Sequence, residues 1–155
     1  MAQLNFPVHN DSFNYPPPNG KFIPLIQKTK TLYITWHGYY QSLPKTHKYS
    51  LGQKIDNFFI EALEAMAIAS FLPPNAKPPH VCLAIQKNDL LKIMLMVLWE
   101  VKAIDNNKYL NLSQPLDEIG RMLGGWYGKL IKQNSPAKIG EKNKDSCGAQ
   151  PDYRR

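Results

Sequence analysis

Long apolar runs, cysteines and acidic residues are all scarce in this 155-residue chain, and each scarcity excludes something. The most apolar stretch, LLKIMLMVLWEV at 90–101, is too short for a bilayer and is bounded or broken by Asp89, Lys92 and Glu100. The opening residues, MAQLNFPVHN, have neither a basic start nor an unbroken apolar run, so no secretory signal is visible and a soluble, cytoplasmic protein is expected. The two cysteines, Cys82 in an apolar helical pattern and Cys147 in a polar tail, suggest neither a disulfide framework nor a metal site and are expected to be reduced. No phosphate loop, nucleophile elbow or dinucleotide fingerprint occurs. None of Glu61, Glu64, Glu100 and Glu118 has a histidine three residues on, as a di-iron bundle needs, and His9, His37, His47 and His80 lack the close spacings of zinc ligands. A protein without catalysis, cofactor or metal is the expectation.

What the chain does have is helical periodicity. Residues 1–20, with NYPPPNG, read as a flexible Pro-rich leader, and residues 134–155 as a disordered polar tail, which leaves 21–133 as one domain. Within it, apolar residues recur at three and four residues in four segments, and no comparable alternation of period two appears. Leu25, Thr29, Leu32, Trp36, Tyr40 and Leu43 share a face of a first helix over 24–43. A second helix begins at Ser50, where Ser-x-x-Gln to Gln53 reads as a capping box, and buries Leu51, Ile55, Phe58, Phe59, Ala62, Leu63, Met66 and Ala69. The prolines of LPPNAKPP at 72–79 force a loop. A third helix covers about 79–105, with Val81, Ile85, Leu91, Leu95, Leu98 and Val101 inward. NNKYLNLS separates it from a fourth, capped by Ser113, opened by Pro115, and carrying Leu116, Ile119, Leu123, Trp126 and Leu130. The economical architecture is an all-α, antiparallel up-down four-helix bundle.

The fourth helix contains an anomaly. EIGRMLGGWYGKLIK holds Gly120, Gly124, Gly125 and Gly128, although each glycine inside a helix costs roughly 1 kcal/mol relative to alanine. Gly120, Gly124 and Gly128 are four apart and form a ridge without side chains, where another backbone can approach closely. Charged neighbours such as Arg121 and Lys129 exclude lipid, so the neighbour is protein. It is either another helix of the same bundle or the same surface of a second subunit.

The charge is also informative. Nineteen Lys and Arg oppose twelve Asp and Glu, and the formal charge of +7 favours a polyanion such as RNA or DNA. Lys45, His47, Lys48 and Lys54 cluster after the first helix, with Thr46 and Tyr49 among them; Lys28, Lys30, Arg121, Lys129 and Lys132 lie on other helices. Cations interleaved with aromatic rings can contact phosphates and stack on bases.

Two stretches, HKYSLGQKIDNFFIEALEAMAIA at 47–69 and YLNLSQPLDEIGRMLGGWYGKL at 109–130, resemble the accessory variability determinant, or Avd, family of diversity-generating retroelements. The resemblance covers about 22–133 and rests on Ser50-Leu51-Gly52 with Ile55, and on Ile119-Gly120 with Leu123-Gly124-Gly125-Trp126. It implies a four-helix bundle forming a ring-like homopentamer that binds a reverse transcriptase and its template RNA or cDNA, without chemistry of its own. A related family, the four-helix proteins encoded by intervening sequences in ribosomal RNA genes, is similar in shape but carries a Ser-Ile-Pro-x-Asn-Ile-Ala-Glu-Gly-like run that EALEAMAIASFLPPNAK lacks. The alternatives are therefore a ribosome- or RNA-associated bundle of that kind and a purely structural oligomeric scaffold.

Overall fold

The apolar residues spaced by three and four do form helices. The computed structural model describes residues 23–135; the leader expected over 1–20 and all but the first two residues of the tail expected over 134–155 lie outside that range. Helix α1 spans Ile23–Gln41 and buries Leu25, Thr29, Leu32 and Trp36, with Tyr40 half-buried. Thr29 is polar, yet its hydroxyl donates to the Leu25 carbonyl at 2.9 Å, so no donor is orphaned in the core. Pro44 then ends the α1 direction, and Leu43 still reaches the core.

The second long helix starts earlier than its capping-box pattern predicts. A single turn α2, Lys45–His47, runs into a π-helical turn, Lys48–Gly52, and then into α3, Gln53–Phe71. Ser50 is not a cap: it lies inside the π turn, and its hydroxyl donates backward to the Thr46 carbonyl at 3.2 Å. The Gln53 amide donates to the Lys48 carbonyl, five residues back, which is the wide spacing of a π turn. Gly52 explains why the widened turn fits. A Cβ there would stand 3.0 Å from both Leu43 and the Tyr40 ring, so this glycine lets the turn close on the end of α1.

Residues 72–77 form the expected proline loop, with the Ala76 amide donating to the Pro73 carbonyl at 2.9 Å. Lys77 at its end is buried; its ammonium donates to the Ser70 carbonyl in the last turn of α3, and burial lowers its pKa. Helix α4 spans Pro78–Glu100 and ends five residues sooner than predicted. Its end is closed by paired bonds, Ala103 amide to Leu98 carbonyl at 3.1 Å and Lys102 amide to Trp99 carbonyl at 2.9 Å, with Lys102 in the left-handed region at φ 62°. Val101 sits at that cap and is exposed, not inward. The same chain reversal moves the start of α5 forward to Asn106–Asn134. Asp105 is the cap, accepting the Lys108 amide at 2.8 Å, so NNKYLNLS is the first two turns of the helix rather than a separator. Ser113 and Pro115, expected at the start, lie inside it.

Four long helices pack in a closed order: α1 touches α3 and α5, and α4 also touches α3 and α5. Between them lies one core, in which Trp36, Phe59, Met66, Leu95, Leu112 and Leu123 are fully buried. Removing a large side chain from such a position ordinarily costs about 2–5 kcal/mol. Trp36 ties two helices together: it stacks on Phe59 at 6.2 Å between centroids and donates Nε1 to Asp56 at 3.2 Å. Tyr33 lies beside the same carboxylate, and burial together with Asp56 raises its pKa. Cys82 on α4, expected as a thiol, is disulfide-bonded; the other cysteine of the sequence, Cys147, lies outside the described residues.

Candidate nucleic-acid interface

The end of α1 presents two adjacent tyrosines, and each is covered by a lysine from a different element. Lys48, from the π turn, holds its ammonium 5.3 Å from the centroid of Tyr40 and donates to the Gln41 carbonyl at 3.4 Å. Lys108, from the first turn of α5, stands 5.5 Å from the centroid of Tyr39, whose hydroxyl accepts from Asn111 at 3.1 Å. A third pair adjoins them. Tyr109 stacks on Trp99 at 5.5 Å, Lys102 lies 5.2 Å from the Trp99 ring, and Trp99 Nε1 donates to Asn106 at 2.6 Å. Cation–aromatic contacts at such exposed sites are worth about 0.5–1 kcal/mol each and keep the ammonium groups hydrated and available to an anion.

A separate pair lies further along α3. Lys54 and Lys87 flank the Phe58 ring at 4.9 and 5.2 Å, and Lys87 also pairs with Glu61. This joins α3 to α4 and leaves Lys54 as the member without a carboxylate.

The structure therefore brings Lys45, His47 and Lys48 together beside the end of α1, with Lys54 beyond the π turn. It does not gather the rest. Lys28 is bound to Glu118, whose pKa is lowered chiefly by that hydrogen bond and by the lysine's charge. Lys30 is exposed on α1, while Arg121, Lys129 and Lys132 are spread along exposed positions of α5. Lys102 and Lys108 do not stand out in the sequence, because their segments read as helix end and separator. The available signal was Lys108-Tyr109, the same cation–aromatic dipeptide as Lys48-Tyr49.

The glycine ridge divides. A Cβ on Gly120 would meet Asn88 Nδ2 at 3.0 Å and Lys92 Nζ at 3.2 Å, so this glycine packs against α4. Asn88 is 1% exposed and donates to the Leu116 carbonyl at 3.2 Å, while Lys92 pairs with Asp117 at 3.0 Å. Around Gly124, Gly125 and Gly128 a Cβ would meet nothing within 4 Å.

Among the described residues no cluster of three or more His, Cys, Asp or Glu could hold a metal ion, and no helix is long and apolar enough to cross a membrane. No family model matches the chain, and no curated protein or solved structure matches it either.

Proposed function

We propose that this chain is a non-catalytic accessory protein of a diversity-generating retroelement, which binds template RNA or cDNA together with the reverse transcriptase. The observation that carries the reading is the convergence of Lys48, Lys102 and Lys108 on the aromatic rings at the meeting of α1, α4, α5 and the π turn. The sequence resemblance to Avd supplies the biological setting. Four helices in antiparallel up-down order accord with Tyr39 near the end of α1 meeting Asn111 near the start of α5, and with Lys28 meeting Glu118. In this reading five copies form a ring in the cytoplasm, whose repeated basic ends neutralise template phosphates. Multivalency then raises the effective concentration of template at the polymerase.

The test has two parts. Light scattering, with and without the reverse transcriptase of a diversity-generating retroelement, is expected to give a fivefold assembly that co-elutes with the polymerase. Reversing Lys45, Lys48 and Lys54 to Glu is expected to weaken RNA binding, lowering the slope of log K against log salt by about 2, while helical content is kept. A monomer that ignores the polymerase, with wild-type RNA affinity in the reversed variant, would refute the proposal.

A further inference from the structure

Six tyrosines fall among the described residues, and five of them, Tyr33, Tyr39, Tyr40, Tyr109 and Tyr127, pack against the core. Tyr49 does not. It is 67% exposed and makes no ring contact or hydrogen bond with any described residue. Solvating a large aromatic surface is unfavourable, and a tyrosine in a mobile loop would at least have freedom to fold back. Tyr49 has no such freedom, because it stands in the π turn, whose backbone is bonded from Lys48 to Gln53 and pressed against Tyr40 and Leu43 at Gly52. The turn thus holds an aromatic face outward on a fixed backbone. Lys45 lies four residues before it, Lys48 adjoins it, and Lys54 follows five residues on.

We propose that Tyr49 is a stacking platform for an unpaired base, with Lys45, Lys48 and Lys54 contacting the flanking phosphates, so that this surface selects single-stranded over duplex nucleic acid. The inference deepens the nucleic-acid reading above and rests on it. The physical basis is that a paired base within a helix hides its face against its neighbours, whereas an unpaired one can lay it on a ring. Phosphates are presented by both forms, so the lysines alone do not discriminate. The other aromatic rings of this surface cannot serve in the same way, because lysines already cover Tyr39, Tyr40 and Trp99.

The experiment measures anisotropy of a labelled oligouridine and a labelled RNA hairpin duplex, each titrated with the full chain over a range of salt. Wild type is expected to prefer oligouridine. Tyr49→Ala is expected to lose about 10-fold in affinity for oligouridine with little change for the duplex, the loss typical of a deleted stacking contact. Its salt slope stays at the wild-type value, because no phosphate contact is removed. Tyr49→Phe and Tyr49→Trp are expected to retain binding, which separates ring stacking from the hydroxyl and from any loss of folding. Three results overturn the inference. Wild-type oligouridine affinity in Tyr49→Ala, or equal losses on both probes, rejects the stacking role alone while salt-dependent binding survives. Failure of wild type to bind either probe rejects the nucleic-acid reading as well.

Discussion

Alanine substitutions along the glycine ridge of α5 should have opposite signs. In an exposed helix interior Gly→Ala gains about 1 kcal/mol, because alanine loses less backbone freedom on folding. Gly124 and Gly128 meet this condition within one protomer, since a Cβ at either has nothing within 4 Å. Gly120→Ala gains the same amount but places Cβ 3.0 Å from Asn88 Nδ2 and 3.2 Å from Lys92 Nζ. The lysine tip is partly exposed and can swing away. Asn88 is 1% exposed and bonded to the Leu116 carbonyl, so the few tenths of an ångström it must give strain a packed, bonded side chain. Overpacking a tight contact costs about 1–3 kcal/mol. The balance for Gly120→Ala is a loss of up to about 2 kcal/mol. Thermal unfolding followed by circular dichroism reads these changes at roughly 4 °C per kcal/mol for a domain of this size. A melting temperature that rises in Gly120→Ala would refute the account of the α4–α5 contact. Light scattering on Gly124→Ala and Gly128→Ala adds a second reading. If both lose assembly while the single-chain fold is kept, their open ridge is a contact between subunits.

Lys102 adopts φ 62° without being glycine, so Lys102→Gly should relieve about 1–2 kcal/mol of left-handed strain. It forfeits about 0.5–1 kcal/mol of contact with Trp99 and about 0.4–1 kcal/mol of unfolded-state advantage, so the net change lies within about 1 kcal/mol of zero. A urea midpoint lowered by more than that would contradict this reading of the helix end. Lys28→Gln should return the depressed pKa of Glu118 toward the ordinary glutamate range, measurable from its side-chain carboxyl chemical shift against pH. Because the folded pKa lies below the unfolded one, the pair stabilises above the usual glutamate pKa and loses that contribution as pH falls through the folded value. A Glu118 titration unmoved by Lys28→Gln would remove the pair from solution.

Much of the core was legible before any fold was known. Leu25, Trp36, Ile55, Phe59, Leu95, Ile119 and Leu123 are placed inward by periodicity alone, because a helix repeats every 3.6 residues and a buried stripe must follow that repeat. The ends of the helices were less legible. Ser50 and Ser113 both look like caps, yet each lies inside helical structure, and the caps in use are the backbone at Pro44 and the side chain of Asp105. Polar segments such as KTHKYS and NNKYLNLS read as loops because their composition suits solvent. As opening turns of helices they expose those same polar groups equally well. Leu112, inside the second of these segments, gives no sign of burial in the sequence for this reason, although it is fully buried.

The candidate site divides along the same line. Sequence alone determined that the chain is basic and helical, since charge and periodicity are sums over residues that need no coordinates. Only the tertiary structure decided which cations lie together and which are paired. It carries Lys108 to Tyr39 and Lys48 to Tyr40, and it binds Lys28 to Glu118. It also decided that Gly120 meets a buried asparagine while Gly124 and Gly128 meet open space. The reason is the range of the forces: a helix's hydrophobic period is local, whereas a hydrogen bond or an ion pair depends on a few ångströms between residues distant in the chain.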